Sequence, residues 1–281
     1  PQILLDRNSV IQSISVFVFS ILFVATPWET LYQHFNGDLF NDRQVYINYF
    51  LHEQNILVQK NFDSIASYFT NEVLWHYFIA LLVSDFGINI EYVFTIISFL
   101  VIYVFGLLFI RWRMVWFLVF LVNPLVVAFA FSQLRLALAM SLLGFAYLSY
   151  RKLKTLPIVL SFGATLIHTG SIFFILIYIA TNVVGHLRSR KLGNVGLLFF
   201  FMVVWGVFLS IMAGPAREIL LAILNDRRAD YDYAEVSSSV LYLSFWVSLI
   251  IPFYICRQTI MKFDYGRYAI AIIAIVCMDV V

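Results

Sequence analysis

The sequence predicts an all-α polytopic membrane protein, and three observations support this fold class. Of the 281 residues, 62% are hydrophobic and only 12% are charged, which is more apolar surface than a soluble chain of this length can bury. Long apolar stretches recur along the whole chain. None alternates polar and apolar residues as a membrane β-barrel requires. We expect one integral membrane domain over 1–281 with about 8–10 transmembrane helices, some broken or re-entrant.

The apolar stretches set the order of the predicted helices. They are Val10–Ala25, Tyr92–Ile110, Val115–Phe131, Leu134–Leu148, Leu156–Val184, Val195–Met212, Val240–Cys256 and Arg267–Val281. No cleavage site follows the first stretch, which favours a retained signal anchor. The sequence begins with proline and stops inside an apolar run, so we expect it to be part of a longer protein.

Short basic connections indicate the cytoplasmic ends of the helices, because positively charged loops stay on that side. They are "RWR" at 111–113, "RKLK" at 151–154, "HLRSRK" at 186–191 and "RQTIMK" at 257–262. The opposite ends then face outward, together with two polar stretches, the predicted external loops 27–71 and 214–239. We expect the first loop to carry a short amphipathic helix on the membrane surface.

Two apolar segments do not fit single spans of ordinary length. Glu72–Phe86 covers about four helical turns, which is short for a span. Leu156–Val184 is too long, has basic flanks at both ends and is interrupted by "HTG" at 168–170. Irregular backbone at membrane depth is tolerated only where protein or water covers it. The sequence therefore predicts a partial or re-entrant helix for the first segment. For the second it predicts either two partial helices that meet in the membrane or a tight external hairpin. Such breaks point to a functional site.

Composition and motifs exclude several classes of function. The net charge of +2 provides no basic field for nucleic acid. Cys256 and Cys277 stand at or within apolar segments, which supports neither a disulfide framework nor a zinc site. The sequence contains no HExxH, GxSxG, P-loop or GxGxxG, and "DYD" at 230–232 is a weak match to a metal-diphosphate motif. We expect neither a metal nor a cofactor.

Arg135 places a charge at the head of an apolar helix, and a charge at a helix centre costs roughly 2.5–3.5 kcal/mol. One interpretation is a side chain that snorkels to the outer interface. The other is a side chain that lines an outward-facing cavity. The preceding Asn123-Pro124 break and the polar pair Ser132-Gln133 favour the cavity.

His168 lies between two strongly apolar stretches. A buried neutral histidine that binds a backbone carbonyl is one interpretation. A functional histidine is the other, and the position of His168 at a helix break favours it.

The two external loops carry groups that suit phosphates and sugars. Planar guanidiniums donate bidentate hydrogen bonds to phosphate or carboxylate oxygens. Carboxylates accept from sugar hydroxyls, while aromatic rings cover apolar sugar faces. A solvated loop and a plain interfacial helix are the alternatives. The polar and aromatic candidates are Asp38, Asp42, Arg43, Tyr46, Tyr49, Glu53, Arg217, Asp226, Arg227, Arg228, Asp230, Tyr231, Asp232, Tyr233 and Glu235.

Four segments, in order, resemble the EpsG-like family, which belongs with the Wzy-type polysaccharide polymerases of bacterial surface glycans. They are "FNDRQVYINYF", "NEVLWHYFIALL", "FSQLRLALAMSLLGFAYL" and "GATLIHTGSIFFIL". The most specific part is an arginine-bearing helix with alternating alanines, a short basic turn and a helix with the pattern A-x-x-x-H-x-x-S/G. "RRADYDY" at 227–233 is similar to the family's late external Arg/Tyr segment. The resemblance covers about residues 36–235.

The resemblance implies a glycosyltransferase of GT-C-like architecture in the bacterial inner membrane, with an active site that faces the periplasm or exterior. Such an enzyme transfers the growing glycan from undecaprenyl pyrophosphate to a hydroxyl of the next lipid-linked repeat unit. It needs neither a metal nor a soluble nucleotide sugar. The implied partners are these lipid-linked units, membrane lipid and a chain-length regulator protein.

The resemblance also implies roles for the candidate residues. Arg135, with Arg227 or Arg228, would stabilise the charge that develops on the leaving pyrophosphate. His168 would hold phosphate or accept the proton of the acceptor hydroxyl, with Asp38, Asp42 and Glu72 as competing bases. The predicted substrate-binding residues are Asp42, Arg43, Tyr46, Glu72, Gln133, Arg217, Tyr231 and Tyr233.

The sequence leaves two other classes of function open. An O-antigen ligase or a membrane acyltransferase of the same pathway would use a similar external site. A flippase or transporter of lipid-linked glycans would show paired halves around a midplane site. We recognise no such internal pairing in the sequence.

Overall fold

The computed structural model describes residues 7–33, 40, 42–48, 50, 72–112, 115–150, 153, 155–190, 194–213 and 240–279. Every regular element within these residues is helical, which confirms the predicted all-α class. The α-helices are α1 (Arg7–Ala25), α2 (Trp28–Gln33), α3 (Val73–Ala80), α4 (Ile90–Trp112), α5 (Pro124–Phe131), α6 (Leu134–Ser149), α7 (Leu156–Ile167), α8 (Ser171–Ser189), α9 (Val195–Ala213), α10 (Val240–Ile255), α11 (Arg257–Ile260) and α12 (Asp264–Asp279). A helical stretch at 42–48, a π-helical turn at Leu81–Asp85 and a 3₁₀ segment at Val115–Val122 also occur.

Several of these helices have the length and composition to cross a membrane. Three qualify singly among the described residues, at Ile90–Ile110, Ser171–Ser189 and Val195–Met212. The bent pair α5 and α6 makes a fourth if it counts as one span. Large apolar side chains also point outward, with Leu125 77% and Ile158 70% exposed. Such faces suit lipid rather than water, so the chain is a membrane protein, and the total of 8–10 spans stays a prediction.

The chain divides into two compact units, and the first comprises Pro1–Ser171. Within it, α6 packs against α7 and α4, and α1 packs against α4. Gly144 permits the close approach of α6 to α4, because a Cβ there would lie 2.2 Å from Cγ1 of Val104. The hydroxyl of Ser98 on α4 donates to the carbonyl of Ala130 on α5 at 2.7 Å. This unit contains the helix breaks that form the candidate site.

The second unit comprises Ile172–Val281, and α9 against α12 is its most extensive helix pair. Gly206 lies so close to α12 that an added Cβ would be 2.5 Å from the carbonyl oxygen of Ala271. Arg267 is buried at the start of α12 and donates to the carbonyl of Met261 at 2.7 Å. The close helix contact at Gly206 and the hydrogen bond from Arg267 therefore both stabilise this unit.

The broken segments that the sequence predicts are present, together with one further bend. The turn at 168–170 separates α7 from α8, as expected. Asn123 begins α5, and its side chain accepts from the N–H of Leu125 at 2.8 Å. A further bend, of 100°, separates α5 from α6. It lies directly before Arg135, at Ser132 and Gln133, and the backbone angles of Gln133 leave the helical region.

Gly206→Ala should destabilise the protein, whereas Gly163→Ala should not. A methyl group at 206 meets backbone, which cannot rotate away, and overpacking of this kind costs about 1–3 kcal/mol. At 163 the nearest atom is 3.8 Å away, an ordinary contact, so alanine should stabilise α7 by up to about 1 kcal/mol. Thermal unfolding of both variants in detergent measures the difference. Equal midpoints would contradict the close approach at Gly206.

Candidate functional site

Glu72 lies at the centre of the candidate site, immediately before α3. Its side chain is only 3% exposed. Its backbone has φ 51° and ψ 46°, the left-handed conformation, and it is the one non-glycine residue with positive φ among those that the structure describes. A residue held there costs on the order of 1–3 kcal/mol and persists only where its surroundings fix it. The contacts of the Glu72 carboxylate supply that fixation.

Arg135 is the charge partner of Glu72. It stands in the first turn of α6, directly after the 100° bend, and its Nη1 donates to Oε2 of Glu72. Its Nε donates to the hydroxyl of Tyr46 at 3.2 Å, and its Cζ lies 5.1 Å from the centre of the Tyr46 ring. The side chain is 34% exposed. Arg135 is thus partnered on one side and accessible on the other, and a guanidinium with five N–H groups has donor capacity beyond these two described contacts.

His168 approaches Glu72 from the break between α7 and α8. Its Nδ1 lies 2.7 Å from Oε1 of Glu72, although the ring does not direct its N–H along that line, so the contact is electrostatic rather than an aligned hydrogen bond. The backbone N–H of Thr169 donates to the same oxygen at 3.4 Å. The ring lies over Gly170, where a Cβ would be 2.9 Å from Nε2. Both oxygens of one carboxylate therefore connect two helix breaks.

The carboxylate of Glu72 is bound by side-chain and backbone groups rather than by the helix that it precedes. Glu72 stands at the N-cap of α3, but its side chain makes no capping hydrogen bond to that helix. Its oxygens instead contact Arg135, His168 and the N–H of Thr169. The arrangement is therefore suited to hold negative charge, which Glu72 supplies in this structure.

The helical stretch at 42–48 covers one side of the site. Its Arg43 pairs with Glu91 at the start of α4 and lies 5.7 Å from the ring centre of Phe94. Tyr46 contacts Trp75 and Phe94, with ring centres 5.8 Å and 6.4 Å apart respectively. Burial raises the pKa of the Tyr46 phenol, despite the opposing effect of the Arg135 charge. Tyr46 therefore stays protonated near neutral pH, with its oxygen free to accept from Arg135.

A small aromatic recess adjoins this cover. It is lined by Tyr46, Phe50, Trp75, His76, Ile79, Ile90 and Phe94. Tyr46 is common to the recess and to the ion-paired cluster, so its ring separates the apolar and charged parts of the site.

The structure brings together four of the predicted site residues: Arg135, His168, Glu72 and Tyr46. Asp42 and Gln133 are exposed and make none of the hydrogen bonds or ion pairs of this cluster. Arg43 is described as well, but it pairs with Glu91 rather than with this cluster. The remaining predictions fall outside the described residues, namely Asp38, Arg217, Arg227, Arg228, Tyr231 and Tyr233, as do Tyr49, Glu53, Asp226, Asp230, Asp232 and Glu235.

Sequence reasoning missed three contributions to the site. It did not assign Glu91 as the partner of Arg43, because an acidic residue in the first turn of α4 is typical of any helix start. It did not assign the backbone N–H of Thr169 or the space left by Gly170. The "HTG" break was the available signal for both, since a break exposes backbone donors and glycine leaves room.

The cluster combines a guanidinium that can bind an oxyanion with a histidine that can move a proton. Among the described residues, no group of three His, Cys, Asp or Glu could hold a metal ion. Comparisons with protein-family models, with curated proteins and with solved structures gave no significant match. The geometry of the cluster is therefore the main support for a functional assignment.

Arg135→Met should destabilise the folded protein by about 3 kcal/mol, because it leaves the buried Glu72 carboxylate without its counter-charge. Adding Glu72→Gln to the same chain removes that charge and should restore most of the loss. Arg43→Met is the matched control: its partner Glu91 is 47% exposed, so the loss should stay within about 1 kcal/mol. Chemical unfolding in detergent measures all three. A double variant as unstable as Arg135→Met would contradict the buried pair.

Proposed function

We propose that the protein is a polymerase of bacterial surface polysaccharide, a glycosyltransferase of GT-C-like architecture. The observation that carries the proposal is the meeting of Arg135 and His168 around one buried carboxylate, with each of the two residues standing at a helix break. An oxyanion-binding group and a proton-transfer group side by side are what this transfer requires. The ordered resemblance to the EpsG-like family supports the same assignment.

The proposed donor is the growing glycan on undecaprenyl pyrophosphate, and the acceptor is a hydroxyl of the next lipid-linked repeat unit. The acceptor oxygen bonds to the anomeric carbon as the bond from that carbon to the phosphate oxygen breaks. The electron pair leaves with the lipid pyrophosphate, and the hydroxyl proton passes to His168. Arg135 stabilises the charge that develops on the leaving group, since a fixed guanidinium requires no reorganisation during the step.

The ion pair with Glu72 sets a condition on this mechanism. Glu72 already balances the charge of Arg135, so a pyrophosphate with several negative charges needs further cations. Arg227 and Arg228 in the external loop 214–239 are the proposed source. The proposed location is the bacterial inner membrane, with the site facing the periplasm or exterior and a chain-length regulator as a further partner.

Arg135→Ala should shorten the glycan ladder and slow polymerisation by about 100-fold, the loss expected for one charge-stabilising donor. Arg135→Lys should also be defective, because lysine keeps the charge but loses the planar fork. Arg257→Ala is the control, since Arg257 lies on a tyrosine ring in the second unit, 4.2 Å from its centre. Ladder length in cells and rates with purified protein are the measurements. Undiminished polymerisation in both Arg135 variants would remove its proposed role.

The rival functions are separated by incubating the purified full chain with defined lipid-linked repeat units. Polymer formed without a lipid A core acceptor supports the polymerase over a ligase. Acyl transfer without elongation would identify an acyltransferase. Movement of lipid-linked units across vesicles without extension would identify a flippase.

A further inference from the structure

Glu72 is a competing base on sequence grounds, and its surroundings argue for a different role. Its carboxylate contacts Nη1 of Arg135 through one oxygen, and Nδ1 of His168 and the N–H of Thr169 through the other. The side chain is 3% exposed, whereas that of His168 is 28% exposed. A base must reach the proton it removes. His168 is accessible to an acceptor hydroxyl, and Glu72 is enclosed behind it.

Proton transfer to Glu72 would also disturb the charge balance of the site. Neutral Glu72 leaves the guanidinium of Arg135 without its counter-charge, and the attraction between the two groups favours the ionised carboxylate. An ionised Glu72 satisfies Arg135 and at the same time attracts the proton of His168 to Nδ1. The Glu72 carboxylate therefore remains charged while His168 accepts the proton.

We propose that Glu72 is a positioning residue, which fixes His168 with its proton on Nδ1 and leaves Nε2 as the atom that accepts the proton of the acceptor hydroxyl. Because Oε1 of Glu72 lies 2.7 Å from Nδ1, its negative charge favours the proton on that atom even though the N–H is not aligned with the oxygen. Gly170 supports the arrangement, because any larger residue would place a Cβ 2.9 Å from Nε2 and displace the ring. The role in proton transfer rests on the proposed function, whereas the tautomer does not.

The tautomer is measured directly by ¹⁵N NMR of the full chain with labelled histidine, in lipid nanodiscs at neutral pH. The chain has five histidines, and His168→Gln identifies the signal of interest. Wild-type His168 should carry its neutral-form proton on Nδ1. In Glu72→Gln, the amide oxygen accepts from Arg135, so the amide NH₂ faces Nδ1. Nδ1 must then accept a hydrogen bond, which should shift the histidine proton to Nε2.

Glu91→Gln is the matched control, because it removes a carboxylate from the other arginine pair and should leave the His168 signal unchanged. A wild-type proton on Nε2, or a tautomer insensitive to Glu72→Gln, would overturn the proposal. The NMR spectrum reports the tautomer of His168 even if the protein makes no polymer. Failure of the proposed function and failure of the positioning role are therefore distinguishable.

The kinetic test uses the same variants with purified lipid-linked repeat units. Loss of general-base catalysis lowers rates by about 10²–10⁴-fold, and His168→Gln should fall in that range. Glu72→Gln should lower kcat more than it raises KM. The double variant should be no slower than His168→Gln alone, because residues that act as one unit are not additive. Multiplicative losses would show that Glu72 acts independently of His168 and would overturn its positioning role.

Discussion

The ion pair between Glu72 and Arg135 is the interaction on which the described site depends. A carboxylate that is almost completely buried is stable only when its charge is compensated and its oxygens are bound. Arg135 provides the compensation, and the same carboxylate extends to His168 through its second oxygen. One buried charge thereby connects three chain segments that are distant in sequence.

The interruptions of the helices have a physical cost that the polar side chains offset. Each break leaves backbone N–H groups without an intrahelical partner, and a membrane supplies no water to bind them. The side chain of Asn123 binds the N–H of Leu125, and Glu72 binds that of Thr169. The residue that permits the break at Thr169 is therefore the residue that assembles the charged cluster. The structural role of Glu72 and its proposed functional role thus rest on the same carboxylate.

The helical class and most helix positions follow from composition, because long apolar stretches have few alternatives in a membrane. The break at His168 was predictable for a similar reason, since "HTG" interrupts a segment too long for one span. The bend before Arg135 was not, because the Asn123-Pro124 pair is the stronger local signal. Local signals describe backbone preferences, and neither Ser132 nor Gln133 breaks a helix as strongly as proline does.

The pairing of Arg135 with Glu72 lies further beyond sequence reasoning. Both residues stood out singly, one as a costly charge and the other as a possible base. Their contact joins positions far apart in the chain, and nothing local to either one specifies the other. Glu91 did not stand out in the sequence, because an acidic residue is common in the first turn of a helix. Only the structure shows that it pairs with Arg43.

The left-handed backbone of Glu72 has a practical consequence for anyone who engineers this protein. Glycine adopts that conformation without strain, and asparagine does so more easily than glutamate. Glycine at position 72 would relieve this strain, but it would also remove the counter-charge of Arg135 and the contacts with His168 and Thr169. The two effects oppose each other, so a library at position 72 measures the balance between backbone strain and the ion pair, and it should be screened for stability and for an intact cluster together.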